Sequence, residues 1–146
     1  FEYRLPVDGF GGTFDIDIAG FSKGELKVAI LGKALNSNIS KNIKNYANTS
    51  VGEAARIMFA PNIEMEKVLF ISVLPRVAPR FNTKKEVVGF DDVLAAKDRT
   101  KINDILTAQY DGKVEAIDLY FDIEGVKTLT EFDTITINNL DTLTLV

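Results

Sequence analysis

Apolar positions along this 146-residue chain switch between a period of two and a period near 3.6. Phe1, Tyr3 and Leu5 alternate with Glu2 and Arg4, which predicts a short opening strand. A turn at Asp8-Gly9-Phe10-Gly11-Gly12 follows. Phe14, Ile16 and Ile18 alternate with Thr13, Asp15 and Asp17, as on a half-buried strand, and Leu26, Val28 and Ile30 mark another. A hairpin turning at 20–24 that pairs Ile18 with Leu26, Ile16 with Val28 and Phe14 with Ile30 keeps all six apolar side chains on one face.

Between 36 and 60 the period lengthens. Ile39, Ile43, Tyr46 and Ala47 form the stripe of an amphipathic helix, with Ser37 or Asn38 placed to cap it. Ser50-Val51-Gly52-Glu53 has the form of a capping box and predicts a second helix through Ala54, Ala55, Ile57 and Met58, closed by Pro61. Lys67 to Leu74 is almost continuously apolar, the pattern of a central strand covered on both faces. Residues 75–85 hold Pro75 and Pro79 and predict an irregular, extended segment. Thr100 is placed to cap a third helix carrying Ile102, Ile105, Leu106 and Tyr110, and Asp111-Gly112 stops it, Gly being suited to the left-handed position after a helix.

The last third alternates again. Ile117, Leu119, Phe121 and Ile123 lie between Asp118, Tyr120 and Asp122, and Glu124-Gly125 turns the chain. Phe132 to Ile137 is echoed by Leu140 to Leu145. These two stretches fit a hairpin with Ile137 opposite Leu143, while two copies are too few for a repeat fold. The order predicts one α+β domain over 1–146. Its sheet is expected to be mostly antiparallel, as a sandwich or partly closed barrel, with two or three short helices on one side.

Composition narrows the chemistry. The chain has no His and no Cys, which removes imidazole bases, thiolate nucleophiles and the usual zinc sets. Gly9-Phe10-Gly11-Gly12 lacks the last glycine of a dinucleotide fingerprint, and there is no phosphate-loop motif, so no cofactor is expected. The apolar runs are far shorter than the roughly 20 residues of a membrane span. Phe1 stands where an initiator Met would, so the chain reads as a processed or trimmed product.

The carboxylates offer weak metal candidates. Asp15 and Asp17 resemble the start of a calcium loop, but Ala19 and Leu26 occupy its ligand positions. Asp118 and Asp122 share a strand face about 13 Å apart, so a metal would need acids from another strand. Thr pairs at 128/130, 134/136 and 142/144 are ordinary exposed strand residues.

Charge is uneven. The net charge is −4, yet residues 76–85 carry Arg76, Arg80, Lys84 and Lys85 and no acid. With Phe81 among them, these five residues are the candidate partner-binding set. Missing catalytic side chains, many strands and a basic arm on an acidic body predict a non-catalytic structural or assembly subunit that associates with copies of itself or another subunit. A virion, tail or fibre component is the analogy. The alternatives are a binding module for nucleic acid or an acidic protein through 76–85, and a carboxylate- or metal-dependent enzyme.

Overall fold

A computed structural model describes residues 3–5, 13–93, 97–124 and 134–137 of the chain. The turn expected at 8–12 and the strand expected at 140–145 lie outside the described residues. The elements are β1 (Tyr3–Leu5), β2 (Phe14–Ile16), β3 (Ile18–Ser22), β4 (Glu25–Ala34), α1 (Ile39–Met58), β5 (Lys67–Pro75), β6 (Val77–Phe81), β7 (Val87–Asp92), α2 (Lys97–Gln109), β8 (Val114–Glu124) and β9 (Thr134–Ile137).

The architecture is α+β, built on an open sheet in the order β3-β4-β5-β8-β9, with β1-β2 and β6-β7 as separate two-stranded ribbons. The sheet is mixed rather than mostly antiparallel. β4, β5 and β8 run parallel, while β3 and β9 are antiparallel edge strands. Parallel neighbours need a crossover, and α1 and α2 lie within the two crossovers. Both crossovers step the same way along the sheet, so right-handedness puts both helices on one face. Ala54 and Ile57 of α1, Leu106 of α2 and Tyr110 just after α2 accordingly share a core with Ala29, Leu31, Val68, Phe70 and Val114. β5 occupies the centre of the sheet, where its apolar run belongs.

The first hairpin differs from its expected form. β3 pairs with β4 with Ile18 opposite Ile30, and β2 pairs with β1, with Phe14 opposite Leu5. Two local features cause this. Lys23 and Gly24 both adopt positive φ, 52° and 82°, forming a two-residue turn between the paired Ser22 and Glu25. The chain also bends at Asp17, whose Oδ2 accepts the Gly32 N–H at 2.7 Å. That carboxylate takes the place of a strand carbonyl, so β2 can leave the main sheet without orphaning the β4 edge at Gly32.

The two helices expected over 36–60 are one. Ile39, Tyr46, Ser50, Ala54 and Ile57 form a continuous buried stripe through Gly52, which outweighs the capping signal at Ser50. Asn38 does hold the N-cap position, but in a left-handed conformation and with its side chain turned away from the helix. α2 begins at Lys97, so Thr100 lies inside it rather than at its cap. Its stop is a Schellman-type turn. The Gly112 N–H donates to the Thr107 carbonyl at 3.1 Å, with Asp111 in the left-handed position and Gly112 just beyond.

Candidate interaction site

The basic segment is a strand, not an irregular arm. β6 and β7 form a hairpin that leaves the C-terminal end of β5. Ala78 and Val93 of this hairpin join Ile39 and Leu74 in a second apolar cluster, packed also by Leu35 and Tyr120. Pro79 is tolerated because β6 uses that edge differently. The Asn38 N–H donates to the Pro79 carbonyl, and the Phe81 N–H donates to Asn38 Oδ1, both at 3.0 Å. Asn38 thereby ties the start of α1 to the outer edge of β6. Asn82 builds the hairpin turn. Its Oδ1 accepts the N–H groups of Lys84 and Glu86, and its Nδ2 donates to Glu86 Oε2.

The five sequence candidates are on this hairpin and the residue before it. Arg76 faces Asp122 at 3.7 Å, and Arg80 faces Asp91 at 3.3 Å while Asp91 also accepts the Ser40 hydroxyl. The Arg80 guanidinium lies across Gly89, its neighbour on β7. A Cβ there would stand 2.5 Å from a guanidinium nitrogen. Phe81 is half-buried, and Lys84 and Lys85 are exposed at the turn. Glu86, Asp91 and Asp92 stand on the same hairpin, so the positive charge seen along the sequence is largely offset in space.

The chain matches no known protein family model, no curated protein and no solved structure.

Sequence reasoning missed the residues of the hairpin that face water. Val77, Val88 and Phe90 are 48%, 59% and 59% exposed. The signal was present in Val87-Val88-Gly89-Phe90, a short apolar run one residue after the lysines, which only β6 borders among the described strands.

The weak metal candidates do not converge. Asp15 pairs with Arg4 at 3.0 Å, Asp17 holds the β4 edge, Asp122 faces Arg76, and Asp118 accepts the Tyr120 hydroxyl at 3.3 Å and the Asn103 amide at 3.4 Å. Among the described residues, no three carboxylates are grouped as metal ligands would be. No described helix is long and apolar enough to cross a membrane.

Two further polar features complete the map. Lys33, Ser72 and Asp118 lie side by side on β4, β5 and β8, a polar row on the helix-covered face. α1 meets it with Glu53, 2.7 Å from Lys33, and Tyr46, 2.8 Å from Ser72. The row divides the larger core from the cluster beneath the hairpin. At the opposite end of the parallel strands, Glu25, Leu26, Lys27, Asn62, Ile63 and Glu64 line a shallow cleft of about 420 Å³. The hydrogen bond to Glu25 holds the Lys27 ammonium above its ordinary range, reinforced by the charges of Glu64 and Glu66.

Proposed function

We propose that this chain is a non-catalytic assembly subunit that associates with copies of itself through the β6–β7 hairpin. The observation that supports the reading is the exposure of Val88 and Phe90 on a strand bordered by β6 alone among the described strands. Exposed apolar side chains on an edge strand favour association, because contact removes them from water and offers pairing to the strand backbone. The cations add less than their number suggests, since Arg76 and Arg80 each already face a carboxylate. Exposed ion pairs of this kind contribute only about 0–1 kcal/mol.

Light scattering coupled to size exclusion, across a concentration series at two salt concentrations, tests the reading. The expected outcome is a concentration-dependent oligomer that persists at high salt, as an apolar contact does and a charge-driven one does not. A strict monomer at high concentration in both salts overturns it.

A further inference from the structure

Resting on that reading, we infer that two copies join through β7 in a two-fold contact, their β7 strands antiparallel and the axis near Val88. Three features of the hairpin lead there.

The first is which edge is open. The outer edge of β6 is occupied by Asn38, which donates to the Pro79 carbonyl and accepts from the Phe81 N–H. Pro79 has no N–H to offer in any case. β7 is thus the strand of this ribbon that can receive a partner.

The second is the order of side chains along β7 and its turn. Lys84 and Lys85 stand at the tip with Glu86 after them, Val87 to Phe90 in the middle, and Asp91 and Asp92 at the base. An antiparallel second copy sets each basic tip toward the other's acidic base and brings the two Val88 side chains together. With Val88 on the axis, Val87 faces Gly89 of the second copy, Phe90 faces Glu86, and the turn that holds Lys84 and Lys85 lies toward its Asp92 end. A parallel arrangement would set lysines beside lysines and aspartates beside aspartates. The strand is therefore complementary to itself in one direction only, which an isologous contact requires.

The third is the bulge. Gly89 stands opposite Arg80 and Val87 opposite Phe81, so Val88 is the extra residue on β7. A bulge interrupts the regular ladder and re-aims the side chain it carries. The contact accordingly relies on Val88 and Phe90 side chains, with backbone pairing subordinate.

The absence of cysteine makes the test clean. Val88→Cys places one thiol per chain at the axis, where α-carbons about 4.4–6.8 Å apart can be bridged. Mild oxidation should convert this variant to a covalent dimer, while Phe59→Cys, at a position 74% exposed at the end of α1, should stay monomeric on a non-reducing gel. Phe90→Asp should weaken self-association by about 30-fold or more, the loss typical of a central aromatic anchor. Its circular dichroism should be unchanged, since Phe90 is exposed. Lys84→Asp should also weaken association, and adding Asp92→Lys should restore it. Oligomers without the Val88 cross-link, or an open series of sizes in place of a dimer, would overturn the two-fold arrangement and leave self-association standing. A strict monomer would overturn both.

Discussion

Removing the Tyr46 hydroxyl by Tyr46→Phe probes the polar row at its most buried point. Tyr46 OH and Ser72 Oγ lie 2.8 Å apart, and Ser72 is fully buried on the central strand. The phenyl ring of the variant fills the same space, so no cavity forms. What changes is that the Ser72 hydroxyl loses this partner in a site where water cannot replace it. A buried polar group left unpaired costs about 1–3 kcal/mol, more than the roughly 0.5–1.5 kcal/mol net value of an ordinary hydrogen bond. Ser72→Ala should cost less, because Tyr46 lies nearer the surface, at 6% exposure against 0%. The double variant replaces both partners with apolar groups of similar shape and should be close to neutral. The pair should therefore show a coupling of about 1–2 kcal/mol. Urea unfolding followed by circular dichroism measures it. Tyr46→Phe should lower the midpoint by about 1 M with an unchanged slope, and the double variant should recover most of that loss. Strict additivity, or a Tyr46→Phe variant as stable as the parent, would refute the view that this hydroxyl pair links α1 to β5.

Three other outcomes follow from the packing and the charges. Phe70→Ala, at a fully buried position of β5, should cost about 3–5 kcal/mol, while Ile105→Ala, 56% exposed on α2, should change stability by less than about 0.5 kcal/mol in the same urea assay. Lys33→Met leaves the Glu53 carboxylate, whose side chain is mostly buried, without its partner 2.7 Å away; thermal melts should show it less stable than a Lys33→Met/Glu53→Gln double variant. Burial pushes the Tyr110 phenol above its ordinary value, and its hydroxyl is buried without a hydrogen-bond partner. The folded chain thus holds this proton more tightly than the unfolded chain does. The stability tied to it is present below the unfolded value of about pH 10 and is lost as pH rises through the raised folded value. Tyr110→Phe should lack that alkaline loss in parallel pH titrations of stability, and at neutral pH it should be no less stable than the parent.

The local pattern settled much of this protein. The apolar run from Val68 to Leu74, interrupted only by Ser72, placed a central strand, because only a strand covered on both faces can bury side chains of both parities. Asp111-Gly112 placed the end of α2, because a left-handed pair satisfies the last helical carbonyls. The absence of His and Cys excluded whole classes of chemistry without any structure. Strand partners were a different matter. Alternation says which side chains share a face, but not which strand lies alongside or in which direction. The mixed sheet emerged only when α1 and α2 packed on one face and made β4, β5 and β8 parallel. The capping box at Ser50 was a sound local signal that lost to the buried stripe running past it, since a helix packed along its length gains more than a cap contributes.

The candidate site divided in the same way. Arg76, Arg80, Lys84 and Lys85 were legible as a charge run. The pairing of Arg76 with Asp122 and of Arg80 with Asp91 was not, because those acids come near only through the β8 neighbour and the β7 return strand. The polar row of Lys33, Ser72 and Asp118 was equally hidden, since parallel pairing alone aligns three residues about 40 positions apart. Sequence by itself determined the faces of the elements and the chemistry they lack. Only the tertiary structure decided which faces and charges meet, because strand pairing is a non-local contact that no periodic pattern encodes.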